Sequence, residues 1–234
     1  MSKQHSGILP QITPSSFKFL ADLKNNNNRE WFAVHKETFQ KEQQQIEVLA
    51  EGLLQALNTH DVIETLSGKK SLHRIYRDTR FSLDKTPYKT NWSGGFKRAG
   101  KHRRGGLYFH LEPGNSFIGG GFWGPSPADL KLIREDIAFD ATPLRAIVNS
   151  ESFISTFGTL QGEQVKTAPK GYPADHEAID LLRYKQFLVR RRFSDKEVFS
   201  GDLLNLMNEG FKNMRPFFDY MSEVLSTDVN GLKF

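Results

Sequence analysis

Apolar residues recur along this chain with two different periods, and the changes between them mark its elements. Phe17, Leu20 and Leu23 sit at helical spacing behind Ser15 and Ser16, which are suited to cap a helix. Asn25 to Asn28 interrupt that run, and Asn28 is placed to cap a second helix with Glu30 and Trp31 in its first turn. Trp31, Phe32, His35, Phe39, Ile46, Leu49, Leu53 and Leu57 then predict one long helix over 29–58. The centre switches to a period of two. Strands are predicted at 90–97, 107–112 and 116–123, with a shorter β-prone run at Ile75-Tyr76-Arg77. Pro113-Gly114-Asn115 joins two of these strands as a hairpin, and Leu107, Phe109 and Leu111 alternate with Tyr108, His110 and Glu112. Ser126-Pro127 opens a helix to about 140, followed by shorter helical pieces to Phe157. Pro169 to Pro173 is a rigid loop, 178–185 is helical, 187–193 is a strand, and 202–225 is an amphipathic helix. The pattern predicts an α+β fold, a mainly antiparallel sheet covered by helices, with long N-terminal and C-terminal helices. Residues 1–14 are expected to fray, 15–226 to form a single domain, and 227–234 to be a tail.

Composition narrows the chemistry. The 234-residue chain has no cysteine, which excludes disulfides, thiolate metal sites and cysteine nucleophiles. It contains no run of about 18 apolar residues, so no membrane association is expected and the cytoplasm is the expected compartment. Net charge is +5, unevenly spread. From Lys69 to Arg104 twelve Lys and Arg stand against two acids, Asp78 and Asp84, a net +10 that leaves −5 for the rest. Such asymmetry favours an anionic partner.

Two clusters carry candidate chemistry. The first comprises Arg74, Arg77, Arg80, Lys85, Tyr88 and Lys89, in a segment rich in Thr, Ser and Asp. Guanidinium forks bind phosphates and carboxylates in bidentate fashion, and loop hydroxyls and amides add donors. If the chain leaves its strand after Arg77, the three arginines converge on one ligand. The competing reading is internal: Asp78 and Asp84 tie the arginines down, with Arg77–Asp78 the nearest pair, while Lys85 and Lys89 are solvated. The second cluster is Tyr108, His110 and Glu112, which a spacing of two places on one sheet face. Histidine with a carboxylate is a usual acid–base pair, although a half-exposed sheet face also carries polar residues for solvation alone.

Other features stay open at this level. Gly94-Gly95 and Gly119-Gly120-Gly121 lie inside strands, and either flatten the sheet under a ligand or admit a packed helix. Arg190 and Arg192 share one face of their strand and either extend the basic surface or blunt an edge. No spacing typical of a metal site occurs, and no metal or cofactor is expected.

The motifs Asn26-Asn27-Asn28-Arg29-Glu30-Trp31-Phe32, Arg74-Ile75-Tyr76-Arg77-Asp78-Thr79-Arg80-Phe81-Ser82, Asp84-Lys85-Thr86-Pro87-Tyr88-Lys89-Thr90-Asn91 and Gly119-Gly120-Gly121 resemble the family catalogued as domain of unknown function 2461. Pro169-Lys170-Gly171 and Leu182-Arg183-Tyr184-Lys185 match its later motifs. The resemblance implies one intracellular domain and no particular activity or site. Three functions therefore compete. The first is a site for a small ligand bearing phosphate or carboxylate at the basic loop beside the sheet, with turnover left open. The second is a nucleic-acid binding module using 69–104, and the third a protein in which the arginines are structural ties. Oligomeric state is not legible.

Overall fold

The computed structural model describes residues 11–227. The expectations of a frayed N-terminus and a C-terminal tail lie largely outside that range. Ile12 is buried, and Thr13 stands at the N-cap position of the first helix, α1 (Pro14–Asn25), with Pro14 in its first turn. Asn28 caps α2 (Arg29–Val34), its side chain accepting from the Trp31 amide at 2.8 Å. The single helix expected over 29–58 is two. His35 leaves helical geometry at φ −101° and ψ 14°, stacks its ring on Trp31, and bonds the Trp31 carbonyl through Nδ1 at 2.8 Å. The apolar spacing runs through this break, which is why periodicity alone reads straight across it. Beyond it, α3 (Lys36–Leu57) buries Ile46, Leu49, Leu53 and Leu57 as one stripe. A one-turn helix, α4 (Gly68–Ser71), follows.

Three strands come next: β1 (Trp92–Lys97), β2 (Gly106–Leu111) and β3 (Ser116–Phe122). Helices α5 (Pro127–Phe139), α6 (Thr142–Val148), α7 (Glu151–Phe157) and α8 (Ile179–Leu182) lead to β4 (Phe187–Phe193). The chain closes with α9 (Asp195–Val198) and α10 (Leu203–Val224). The strands form one antiparallel sheet in the order β1-β2-β3-β4. Isolated bridges Leu72–Gly94 and Gln161–Leu188 widen it at either edge. The fold is α+β, as the pattern predicts.

The two faces of the sheet have different fates. Phe96, Leu107, Phe109, Ile118, Phe122, Phe187 and Val189 point into a core closed by α3 and α10. Gly120 belongs to this face: a Cβ there would sit 2.6 Å from Phe218 Cζ, so glycine lets α10 approach. The opposite face presents a different set in register. One row across the four strands reads Gly95, Tyr108, Gly119, Arg190, and its neighbours read Ser93, His110, Phe117, Arg192 and Lys97, Gly106, Gly121, Leu188.

Candidate functional site

A cavity of about 820 Å³ lies over this second face, within the range of ligand pockets. Gly95, Gly106, Gly119 and Gly121 line it without side chains, and Trp123, Leu188, Arg190, Tyr108, Phe117 and His73 rise around them. Trp123 is exposed at the edge of the cavity.

Tyr108, His110 and Glu112 form a continuous hydrogen-bonded chain. Tyr108 Oη lies 3.0 Å from His110 Nδ1, and His110 Nε2 lies 3.0 Å from Glu112 Oε2. Asn115 Nδ2 donates to the same Glu112 oxygen at 2.9 Å, and Arg192 donates to Asn115 Oδ1 at 3.0 Å. Burial pushes the Glu112 carboxyl upward, but the Asn115 and His110 contacts outweigh it and hold the group below its usual range. An ionised carboxylate only accepts, so Nε2 carries the proton in neutral His110. Nδ1 is then the acceptor, and Tyr108 donates to it. Burial raises the Tyr108 phenol, while the Ser93 hydroxyl and the Arg190 guanidinium pull the other way. Tyr108 is therefore a neutral donor near pH 7. A proton taken from it passes to His110, where Glu112 stabilises the imidazolium.

Arg190 flanks this chain. Its guanidinium carbon lies 4.4 Å from the centre of the Phe117 ring, which also stacks on His110 at 4.8 Å. No carboxylate pairs with Arg190 among the described residues. His73 stands at the rim beside Tyr108, at 5.8 Å between rings; surrounding protein and the Lys89 ammonium lower its basicity.

The basic loop is organised otherwise. Arg77 turns to Asp84 at 2.5 Å and to Thr86, not to Asp78. Asp78 instead pairs with Arg80 at 2.7 Å, and Lys85 donates to the Thr79 carbonyl at 2.9 Å. Asp84 is held down to about 2 by the Thr86 amide, with Arg77 and the Thr86 hydroxyl adding to the effect. Tyr88 is buried with its ring stacked on Phe32 at 4.1 Å, a packing position. Burial and Arg74 lower the Lys89 ammonium. Arg77, Arg80 and Lys85 are each engaged within the loop, and Arg74 lies close enough to Lys89 to act on its charge, whereas Tyr108, His110 and Glu112 are bonded to one another.

The charge surplus of 69–104 is also met from elsewhere. Arg98 is fully buried, bonded to Asp61 at 2.6 Å and to Asp219. Lys69 pairs with Glu47, Lys97 with Glu64, Arg103 with Asp61 and Arg104 with Asp129. These acids lie far away in sequence. Counting charges within the segment could not find them.

Arg190 was visible in sequence only as an ambiguous strand arginine, and Phe117, Ser93 and Trp123 only as strand residues. Their signal is the antiparallel register that sets Arg190 opposite Gly119. A short strand joined to its neighbour through more than sixty residues of chain gives no local clue to that pairing.

The family model for a conserved hypothetical protein, domain of unknown function 2461, matches residues 15–220. The chain belongs to this family. No curated protein and no solved structure matches it. Among the described residues, no helix is long and apolar enough to cross a membrane, and no group of three metal-ligating side chains is gathered.

Proposed function

We propose that the open sheet face binds a small ligand carrying a phosphate or carboxylate, with Arg190 as its anion anchor and Tyr108 as its proton-donating group. The observation that carries this reading is the Tyr108–His110–Glu112 chain at the wall of an open cavity, beside an arginine with no carboxylate partner among the described residues. The arginine is kept in place by Phe117 and not neutralised by an acid. The anion site thus moves from the loop, where Arg77 and Arg80 are engaged by Asp84 and Asp78, to the neighbouring sheet. Turnover, where it occurs, is proton transfer through Tyr108 to a ligand heteroatom: with His110 as the imidazolium, Nδ1–H passes to Tyr108 Oη as Tyr108 gives its own proton to the ligand, which leaves His110 neutral with Nε2–H on Glu112.

Titration calorimetry with inorganic phosphate and acetate tests the reading. Arg190→Ala weakens binding by about tenfold or more, the scale of one charge-assisted hydrogen bond, while Arg80→Ala leaves it unchanged. Wild-type affinity in Arg190→Ala removes the proposal.

The nucleic-acid reading rests on Lys70, Arg74, Lys85, Lys89 and Lys101, which have no carboxylate partner among the described residues. It predicts a steep loss of affinity for oligonucleotides as salt rises. The same paired charges that tie the rest of the segment down reduce the number of phosphates it can meet. A cytoplasmic location is carried forward as a proposal that cell fractionation tests.

A further inference from the structure

The shape of the cavity floor says more about the ligand than its charge does. Along β3 the open face presents Phe117, Gly119 and Gly121 in turn, and Trp123 follows in the bend just past the strand, also lining the cavity. Two aromatic residues thus stand on either side, along the chain, of two positions that have no side chain. Gly106 lies across from Gly121 on β2, and Gly95 completes the patch on β1 beyond Tyr108. The glycines are not all there for backbone reasons. Gly121 has φ 129° and is locked against the Phe187 carbonyl, but Gly95, Gly106 and Gly119 have no positive φ. A Cβ on Gly106 would meet nothing within 4 Å, on Gly95 the Leu107 carbonyl at 3.2 Å and His73 at 3.9 Å, and on Gly119 the Val189 carbonyl at 3.2 Å and the Phe117 ring at 3.8 Å. Packing therefore leaves room for a side chain at 106, while 95 and 119 sit tight against a neighbouring backbone carbonyl. Glycine in a strand interior is destabilising. Its repeated use here keeps bare peptide planes facing a cavity.

Building on the anion-site reading above, we propose that the site selects planar rings: an aromatic or heteroaromatic ring bearing a carboxylate or phosphate. The ring lies flat on the glycine floor and its anion meets Arg190. A flat ring can contact bare peptide planes over its whole face at about 3.5–4.0 Å, whereas a puckered ring of the same formula touches with only some of its atoms. Adjacent strands are about 4.8 Å apart and alternate residues on one face about 7 Å, so the patch accommodates one or two fused rings. Arg190 stands in the same row as Gly119 and Gly95, within reach of a substituent at the ring edge. Tyr108, in that row too, is placed to donate to a ring heteroatom or exocyclic oxygen.

The test pairs planar and puckered anions of like charge, benzoate and 2-naphthoate against cyclohexanecarboxylate, and sets phenyl phosphate, which carries about −1.5 to −2 near pH 7, against inorganic phosphate as its ringless reference. Affinities are read by titration calorimetry on wild type, Gly106→Val, Gly95→Ala and Arg190→Ala, each first shown by its melting curve to be folded. Benzoate is expected to bind about threefold to tenfold tighter than cyclohexanecarboxylate, the range that ring contacts contribute. Gly106→Val removes that preference while leaving phosphate affinity unchanged, and Arg190→Ala weakens every anion. Equal affinity for benzoate and cyclohexanecarboxylate, or an unchanged preference in both glycine variants, overturns the ring inference while the anion site stands. Failure of every anion to bind the wild-type protein removes the anion site and the ring inference with it.

Discussion

Tyr108, His110 and Glu112 do their work as a chain, and each link has its own consequence. Tyr108→Phe keeps the ring against Phe117 and removes only the donor to His110. It is expected to leave the fold intact and to abolish any proton-transfer activity while sparing anion binding, as turnover and calorimetry together would reveal. Glu112 gives a pH signature. Its folded-state pKa is depressed, so its contribution is fully present above the unfolded carboxylate range and is lost as pH falls through the folded value. Glu112→Gln lacks that contribution at every pH. The stability gap between wild type and Glu112→Gln, measured by urea unfolding, should shrink from about pH 7 to about pH 3. A gap that stays constant over that range means the carboxylate is not stabilised in the folded state. These three residues were legible in sequence because a spacing of two on one strand needs no tertiary knowledge. Arg190 was not, because its place beside Tyr108 depends on β4 pairing with β3.

At the level of elements, the two kinds of arginine in the basic segment separate by burial. Arg98 joins the β1–β2 connection to Asp61 after α3 and to Asp219 and Ser222 of α10, and Asp61 is as inaccessible as Arg98. Removing the guanidinium leaves the buried Asp61 carboxylate with only the Val62 amide and the longer Arg103 contact, so Arg98→Ala is expected to cost about 3 kcal/mol in chemical denaturation. Arg77 pairs with an exposed Asp84, and Arg77→Ala should cost no more than about 1 kcal/mol by the same measurement. Similar losses from the two variants would mean that the loop pair is buried in solution or that the Arg98 cluster is not. The sequence showed twelve bases and two acids here and could not distinguish ties from free charges. The long C-terminal helix and the β2–β3 hairpin were legible, since strong periodicity survives tertiary packing. The break at His35 was not, because the apolar stripe continues on either side of it.

The whole molecule is a sheet with one face committed to stability and the other left open. Glycine serves both, and sequence could not assign which glycine serves which. Gly120 turns inward beneath Phe218, and Gly120→Ala is expected to destabilise by about 1–3 kcal/mol through overpacking, measurable by thermal unfolding. Gly106 turns outward, and its substitution should leave the melting temperature close to wild type. The covered face, the antiparallel order and the α+β class follow from residues whose alternation is plain. The open face follows from register and from what does not pack upon it. The most direct test of the site is amide chemical-shift mapping of the isotope-labelled protein during titration with inorganic phosphate and benzoate. Binding on the sheet moves the amides of Gly95, Gly106, Gly119, Gly121 and Arg190 and leaves 77–86 still. Shifts confined to 74–89, or spread along 69–104, would contradict a site on the sheet and return the anion to the basic loop.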